Sequence, residues 1–430
     1  VEPSLDSGTP LRVLHLVTNS LPHTQSGYAV RTHNILTALR QHGIESLALT
    51  RTGYPVMIGK PFCGDEDVVD GIRYRRTLPP SLGATPQGRL EQEVDEAIHL
   101  VEEFRPHVLH ATTDFRNALV AQAVSAATGI PWVLEVRGLL EKTWIASHRS
   151  PEGRARAAES EKVARIAAAE ARLARQAGAV VTLSRTMAEV LRDRGVRAEN
   201  ITLVPNGVDS SLLDEELSPA QARARIDSPL PADALAVGAV SALVDYEGFD
   251  TLLRAVAALL QGSLVPEHVR DRLHVVLVGD GVSAPALSKL ARELGIADRL
   301  HIPGRVPRDR ARDWVQALDV VVVPRRDLEV SRTVTPQKPI EAMALARPVV
   351  VSDLPALRET VENSAGEAVG VLVPPDDSQA LGAALAALLA DPARRAALGA
   401  AGRAAAAERT WAAMMGRYEG AYRAVLGGGS

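Results

Sequence analysis

A segment in the C-terminal half of the chain alternates between short runs of β-branched residues and one helical stretch. Residues 320–323 are all valine, a run too short for a helix, and residues 349–351 repeat the pattern. Both runs predict buried strands. Between them Pro339 occupies the place of a first helical residue, and mostly good helix formers follow it. This order predicts a strand–helix–strand unit, and therefore an α/β fold.

The loop between the first of these strands and the helix is basic. Its cationic side chains are Arg325, Arg326, Arg332 and Lys338. A helix N-terminus beside cations, at the carboxyl end of a strand, favours the binding of an anion such as a phosphate. The alternative is a solvated basic loop on an ordinary strand–helix–strand unit.

The same alternation of strands and helices is present in both halves of the chain. Further strands are predicted at residues 12–17, 47–49, 108–111, 132–136, 179–183, 236–240, 274–278 and 300–302. Helical patterns separate the later ones, which predicts parallel sheets with helices on both faces. At 430 residues the chain exceeds what one hydrophobic core supports, so two domains are expected.

Composition and charge exclude several classes of protein. The net charge of −4 gives no overall attraction to nucleic acid or to an anionic membrane, and aromatic residues, 3% of the chain, are few for base stacking. Cys63 is the only cysteine, so no internal disulfide or cysteine metal cluster is expected. Neither a signal peptide nor an apolar stretch of transmembrane length is recognisable. A cytoplasmic protein is therefore expected.

Three motifs give the chain a resemblance to a known family. Residues 341–344 read E-A-M-A, with P-V-V at residues 348–350; residues 334–341 read V-T-P-Q-K-P-I-E; residues 205–209 read P-N-G-V-D. In these motifs the chain resembles the family-4 glycosyltransferases with the GT-B fold. It is most similar to a sub-branch with V-T-P-x-K-P-x-E in place of the usual two glutamates separated by seven residues. Thr333 stands in the place of the first glutamate.

The resemblance implies two Rossmann-like, doubly wound domains that face each other across a cleft. The implied segments are a disordered N-terminus at residues 1–10, an acceptor-side domain at residues 11–205, a nucleotide-sugar-binding domain at residues 206–408, and a C-terminal helix at residues 409–430 that crosses back to the N-terminal domain. Trp411, Met415, Tyr418, Tyr422 and Leu426 lie at helical spacing and suit that contact. The alternative is a terminal helix packed only on its own domain.

The resemblance also implies a donor site. Glu341 would hold the ribose hydroxyls, and Lys338 with Arg326 would stabilise the developing charge of the leaving diphosphate. Gly27, in the loop after the first strand, would let the donor approach the backbone because it lacks a Cβ atom. The remaining donor-binding candidates are Ser241, Arg325, Arg332, Thr335, Pro336, Gly304 and Val306.

Candidates for contacts with the acceptor lie in the N-terminal half. They are Arg31, His33, His110 and Glu141. Arg137 stands where many family members have a histidine close to the transferred sugar, and it is a third catalytic candidate. It would hold an acceptor anion or orient Glu141, since a guanidinium stays protonated and cannot act as a general base. The alternatives are a structural Arg–Glu pair for Arg137, and surface or capping roles for Arg31 and His33.

Two departures from the family pattern concern the phosphate contacts. Family members usually carry an arginine and a lysine soon after the first strand of the second domain, and here Ala242 and Glu247 stand in their places. Each missing charge-assisted hydrogen bond is worth about 1.5–3 kcal/mol. The loop cations are the available replacements, Lys338 first because it lies just before the predicted helix. Loss of catalytic activity is the competing explanation.

One long helix is predicted over residues 152–176, and its composition bears on membrane binding. Basic and acidic residues are mixed along it, it has no aromatic residue, and its apolar positions are largely alanine. Such a helix is a poor interfacial anchor. A solvated helix and a soluble acceptor are therefore expected.

The resulting hypothesis is retaining, metal-independent transfer of a sugar from a GDP- or UDP-linked donor to a small-molecule or glycan acceptor, in natural-product, thiol-glycoside or polysaccharide biosynthesis. No metal or other cofactor and no nucleic acid is expected, and a homodimer is left open. The alternatives are a GT-B nucleotide-sugar 2-epimerase and a non-catalytic nucleotide-sugar-binding protein. Residues 279–284 read G-D-G-V-S-A, but NAD binding is disfavoured because a strand–helix unit precedes them in their domain.

Overall fold

The computed structural model describes residues 10–148, 150–226, 228, 230–231 and 233–427. The chain forms two compact units, which we call unit 1 (Val1–Pro205 with Trp411–Ser430) and unit 2 (Asn206–Thr410). The segment 1–10, for which disorder is expected, lies outside the described residues except for Pro10.

Unit 1 contains an eight-stranded sheet. Its strands are β1 (Arg12–Val17), β2 (Glu45–Thr50), β3 (Glu66–Val69), β4 (Ile72–Arg76), β5 (Val108–Thr112), β6 (Trp132–Val136), β7 (Ala179–Thr182) and β8 (Ile201–Leu203). They lie in the order β3-β4-β2-β1-β5-β6-β7-β8, and neighbours are parallel except for the antiparallel pair β3 and β4. The sheet is therefore mixed at one edge, which the apolar runs do not predict.

Helices connect these strands. They are α1 (Gly27–Gln41), α2 (Pro86–Phe104), α3 (Phe115–Thr128), α4 (Leu140–Ala146), α5 (Pro151–Ala158), α6 (Glu161–Gln176) and α7 (Arg185–Asp193). The prediction of one helix over residues 152–176 is wrong, because Ser160 starts a new helix: its side chain accepts a hydrogen bond from the backbone N–H of Val163 and caps α6. Among the described residues, no helix is long and apolar enough to cross a bilayer.

Unit 2 contains a six-stranded, fully parallel sheet. Its strands are β9 (Leu235–Val240), β10 (Leu273–Val278), β11 (Leu300–Gly304), β12 (Val320–Val323), β13 (Val349–Ser352) and β14 (Val371–Val373), in the order β11-β10-β9-β12-β13-β14. Its helices are α8 (Pro219–Arg225), α9 (Phe249–Gln261), α10 (Glu267–Arg270), α11 (Ala284–Glu293), α12 (Arg308–Gln316), α13 (Glu329–Thr333), α14 (Lys338–Ala344), α15 (Pro355–Thr360), α16 (Ser378–Leu389) and α17 (Pro392–Ala407).

The valine run of β12 shows how the sheet of unit 2 is covered. Val320 and Val322 enter one hydrophobic core, and Val321 and Val323 enter another, because successive strand residues point to opposite faces. Helices therefore pack on both sides of the sheet. This arrangement confirms the predicted α/β class.

The last helix, α18 (Trp411–Gly427), belongs to unit 1. Trp411, Met415, Tyr418 and Tyr422 are buried in one core with Val13 of β1. Full burial of a large apolar side chain stabilises a fold by about 1.5–3 kcal/mol. The residues predicted to form an apolar stripe therefore make α18 an integral part of unit 1.

The order of strands in unit 2 reverses at β9. The next strand, β10, lies on one side of β9, whereas β12 lies on the other. The loops after β9 and β12 therefore leave the sheet side by side, at the carboxyl ends of their strands. In open α/β sheets such a reversal opens a crevice, which is the usual place for a ligand.

Glycines allow the loop after β9 to lie close to the loops after β12 and β10. A Cβ atom on Gly248, which has φ of +71°, would lie 1.9 Å from the carbonyl oxygen of Pro324 in the loop after β12. Cβ atoms on Gly279 and Gly281 would lie 1.9 Å and 2.2 Å from the carbonyl oxygens of Ser241 and Leu243. Side chains at these positions would separate the loops. Backbone packing therefore accounts for the G-x-G spacing at residues 279–281 without a dinucleotide.

Candidate functional site

At the carboxyl ends of β9 and β12, three ionisable side chains and one hydroxyl form a cluster. Glu247 Oε1 lies 2.9 Å from Arg325 Nη2 and 3.0 Å from Lys338 Nζ. Lys338 Nζ also donates a hydrogen bond to Ser241 Oγ. Glu247 is only 2% exposed, whereas the side chain of Lys338 is 26% exposed. We call Ser241, Glu247, Arg325 and Lys338 the Lys338 cluster.

Burial and charge act in opposite directions in this cluster. Burial raises the pKa of Glu247, but Arg325 and Lys338 outweigh it and lower that pKa to about 2. Burial lowers the pKa of Lys338, and Glu247 opposes this effect. Because the pKa of Glu247 is depressed, its stabilising contribution is present above its usual value of 4.5 and is lost as the pH falls toward 2.

Lys338 keeps a hydrogen-bond donor for a ligand. An ammonium has three N–H donors, and Glu247 and Ser241 accept two of them. Since the side chain is partly exposed, its remaining donor can reach an anion at the open side of the cluster. Lys338 is the first residue of α14, one position earlier than predicted.

Arg325 supports the cluster from within, which corrects its assignment to the donor. It is 7% exposed, its Nη1 donates to the carbonyl oxygen of Val334 at 3.1 Å, and its guanidinium lies 5.7 Å from the ring centre of Tyr246. With Nη2 bound to Glu247, the side chain is held inside unit 2. Its role is to anchor Glu247.

Arg326 and Arg332 are paired with carboxylates, and their contacts with a phosphate stay a prediction. Arg326 Nη2 lies 2.9 Å from Asp250, and its Nη1 lies 3.3 Å from Asp376. Arg332 makes a bidentate ion pair with Asp327: Nε lies 2.5 Å from Oδ1, and Nη2 lies 2.6 Å from Oδ2. These carboxylates offset the positive charge that a phosphate would require.

Glu341 lies on α14, one turn after Lys338. Among the described residues its carboxylate makes no hydrogen bond or ion pair. The positive charges of Arg308 and Lys338 nevertheless lower its pKa. Burial raises the pKa of Glu341 to about 7, more than the two cations lower it. Its oxygens are therefore available to accept hydrogen bonds from a ligand.

The remaining donor-side candidates of unit 2 have structural contacts within that unit. The carbonyl oxygen of Thr335 accepts a hydrogen bond from Asn206 Nδ2 at 3.0 Å, and Pro336 is buried. Gly304 ends β11, and Val306 packs against a core. Because β10 separates β11 from β9, the end of β11 lies two strands from the Lys338 cluster.

In unit 1, Gly27 begins α1 beside its cap. Ser26 Oγ accepts a hydrogen bond from the backbone N–H of Ala29 at 3.2 Å. Gly27 is exposed, and a Cβ atom there would meet nothing within 4 Å. The backbone is open at this point, which the predicted donor role of Gly27 requires.

Arg31 and His110 lie in the interior of unit 1, which corrects their assignment to the acceptor. They surround Glu135, which is fully buried: Glu135 Oε1 lies 3.0 Å from Arg31 Nη2, and Oε2 lies 3.2 Å from His110 Nε2. The hydroxyl of Tyr418, on α18, donates to Oε1 at 2.9 Å. At 4% and 0% exposure, Arg31 and His110 are closed to an acceptor.

Arg137 and His33, also predicted to contact the substrates, are likewise buried in the interior of unit 1. Arg137, at 3% exposure, lies 2.8 Å from Glu135 and donates to Thr32 Oγ1 at 2.7 Å. His33, at 4% exposure, lies 2.8 Å from the hydroxyl of Tyr74 through its Nδ1 atom. Both side chains stabilise the packing of α1 on the sheet.

Glu141 has a different partner from the one predicted. Its carboxylate pairs with Arg194 rather than with Arg137, and it is 3% exposed. Burial, with the nearby charge of Glu141, raises the pKa of Glu170 to about 8. Glu141 therefore belongs to a buried group that joins α4 to α6, whereas Arg137 makes a structural Arg–Glu pair with Glu135 instead.

The residues with the most charged partners were not predicted as site residues. The sequence presents Glu247 only as a departure from the family pattern. Glu135 carries a clearer signal, because an acidic residue within the apolar strand W-V-L-E-V must be paired if the strand is buried.

Both units match known sequence families. Residues 26–207 match the family described as glycosyl transferase 4-like domain, and residues 233–391 match the glycosyl transferases group 1. The chain is 29% identical to D-inositol 3-phosphate glycosyltransferase from Thermobispora bispora over 359 residues, which are 82% of this chain and 77% of the relative.

Solved structures share the fold. Sucrose-phosphate synthase from Thermosynechococcus elongatus superposes with a TM-score of 0.74 at 22% identity, covering 97% of this chain and 99% of that one. Anabaena Alr3699/HepE in complex with UDP and glucose gives a TM-score of 0.71 at 20% identity, covering 95% and 98% of the two chains. With the family matches in both units, the chain belongs to the family-4 glycosyltransferases of GT-B fold, enzymes that transfer a sugar from a nucleotide donor.

Proposed function

We propose that this enzyme transfers a sugar from a UDP- or GDP-linked donor to a small-molecule or glycan acceptor, with retention of configuration and without a metal ion. The observation that carries the proposal is Lys338: its side chain is partly exposed, its ammonium has a third N–H donor beyond those accepted by Glu247 and Ser241, and it lies at the sheet reversal of unit 2. We therefore assign the main contact with the diphosphate to Lys338.

The proposed chemistry has few protein participants. The bond between the anomeric carbon and the diphosphate breaks, a bond from that carbon to the acceptor forms on the same face, and the acceptor proton passes to the leaving phosphate. Lys338 stabilises the charge that develops on the diphosphate. Glu341 accepts hydrogen bonds from the ribose hydroxyls, so it orients the nucleotide without joining the reaction.

The relatives suggest which ligands to try first. The Anabaena structure contains UDP and glucose, which makes UDP the first nucleotide to test. The Thermobispora relative is named for inositol 3-phosphate, so phosphorylated polyols belong in an acceptor screen with sugars and small thiols. Cytoplasmic location and a soluble acceptor are part of the proposal.

Nucleotide binding tests the proposed function directly. Calorimetry with UDP, GDP, ADP and dTDP in the presence of a chelator is expected to give micromolar binding of one nucleotide. The chelator should leave that affinity unchanged, because Lys338 supplies the positive charge. Failure of all four nucleotides to bind would contradict the proposal and favour a non-catalytic homologue.

Glu341 should make donor binding depend on pH. An ionised carboxylate accepts stronger hydrogen bonds than a protonated one, so the donor KM is expected to fall as the pH rises through about 7. Glu341→Gln should raise the donor KM about fivefold to tenfold and remove this dependence. Steady-state kinetics between pH 5.5 and 8.5, pH values chosen to bracket the pKa, measure both effects. A wild-type pH profile in the variant would contradict the role of Glu341.

A further inference from the structure

The Lys338 cluster contains a carboxylate that the proposed reaction does not use. Glu247 comes from the loop after β9, and Lys338 from the start of α14. We propose that Glu247 is a positioning residue for the donor: its carboxylate orients the Lys338 side chain and keeps it as an ammonium, ready to bind the diphosphate. This inference rests on the proposed function and assigns Glu247 a part in it.

Glu247 is itself held rigidly. Gly248 lets the loop after β9 lie against Pro324, and Arg325 Nη2 binds the same carboxylate oxygen as Lys338. Arg325 is in turn tied to the carbonyl oxygen of Val334. A fixed carboxylate gives the flexible Lys338 side chain a defined position, which an exposed lysine would lack.

Glu247 also decides the charge state of Lys338. The groups that face the ammonium are Glu247 from the loop after β9, Ser241 from the same loop, Arg325 from the loop after β12, and Glu341 from its own helix. Burial and Arg325 both favour the neutral amine, whereas Glu247 and, more weakly, Glu341 oppose them. Without Glu247, two cationic side chains would face each other in a largely buried site.

The cluster occupies two of the three N–H donors of Lys338. Glu247 Oε1 and Ser241 Oγ accept two of them on the protein side. The remaining donor is therefore available for a phosphate oxygen. If Glu247 were replaced, the ammonium would lose its strongest anchor, and the orientation of the free donor would no longer be fixed.

The first test measures Lys338 without any ligand. Acylation by an amine-reactive reagent, followed by mass spectrometry, reports the neutral amine at each lysine; Lys60, Lys142, Lys162 and Lys289 serve as internal references. In Glu247→Gln, Lys338 should be labelled at least about tenfold faster at pH 8, because loss of an opposite charge within about 4–6 Å favours the neutral form. Glu247→Asp should restore much of the wild-type profile.

Glu293→Gln is the matched control, because Glu293 pairs with Lys289 in an exposed contact on α11. It should leave the Lys338 profile unchanged. Circular dichroism of all variants checks that they fold. An unchanged labelling profile of Lys338 in folded Glu247→Gln would overturn the inference.

The second test links Glu247 to the donor. Calorimetry with UDP and GDP should show that Glu247→Gln loses affinity, and that the loss is smaller at low pH, where Lys338 is protonated again. A pH-independent loss would mean a merely structural role and would overturn the inference. If wild-type protein binds neither nucleotide but the labelling profile shifts, the proposed function fails, while the control of Lys338 by Glu247 stands.

Discussion

Replacing Lys338 with alanine is expected to lower kcat by about 10²–10³. Lys338 supplies the ammonium of its cluster, and removal of one preorganised group that stabilises developing charge costs a factor of this size. The fold should persist, because Glu247 keeps its ion pair with Arg325. Steady-state kinetics with the donor identified by the nucleotide panel measure the effect.

Lys289→Ala provides the control for a lost lysine. Lys289 is exposed on α11 and pairs only weakly with Glu293, so its removal should leave kcat within about twofold of wild type. A Lys338→Ala enzyme with wild-type kcat would contradict the site assignment. If the free energy of unfolding of Lys338→Ala fell as much as its activation free energy rose, Lys338 would have a structural role instead.

The largest effect on stability is expected at Glu135. Glu135→Gln should lower the free energy of unfolding of unit 1 by about 3–5 kcal/mol, because it leaves the buried guanidinium groups of Arg31 and Arg137 without their counter-charge. It also weakens the hydrogen bond from Tyr418, which anchors α18. Thermal unfolding measures the loss, and hydrogen exchange should detect loosening of α18.

The pH dependence of stability provides a second measurement at the same residue. Burial raises the pKa of Glu135, but Arg137 and Arg31 outweigh it, so the pKa is well below the usual value of 4.5. A depressed carboxyl pKa stabilises the fold above pH 4.5, and the contribution is lost as the pH falls through the lower, folded-state value. Glu135→Gln should lack this part of the acid dependence.

Glu161→Gln is the matched control for this variant. Glu161 pairs with Arg165 on the surface of α6, where both side chains are more than three-quarters exposed, at 76% and 78%. Exposed pairs of this type contribute about 0.3–0.5 kcal/mol, so the variant should unfold nearly as wild type does. Equal stability of Glu135→Gln and Glu161→Gln would contradict the role given to the Glu135 network.

The accuracy of the sequence predictions follows from the burial of each element. Strands such as β12, buried on both faces, are continuous runs of β-branched residues and were predicted. The strand β4 was missed because it is only half buried: Ile72 and Tyr74 point inward, while Arg73 between them is exposed. Short, alternating strands near a sheet edge do not form an apolar run.

The sequence locates the helix and the motif residues of the candidate site, but not the ion pairs around them. The helix start at Lys338 and the carboxylate of Glu341 follow from the motif at residues 334–341. The sequence favours Lys338 among the four loop cations, but it does not show that the three arginines are paired with carboxylates. Whether a cation is free depends on which carboxylates lie beside it, and Asp250 and Asp376, which pair with Arg326, are far from it along the chain.

The sequence by itself determined the class of fold, the family and the segment that holds Lys338 and Glu341. Burial periodicity and motif residues act over a few positions, so they can be read locally. Only the tertiary structure decided that Arg31, His33, His110 and Arg137 are interior residues, and that Glu247 holds Lys338. The physical reason is that burial and ion pairing depend on contacts between strands and loops distant in the chain, which no local pattern records.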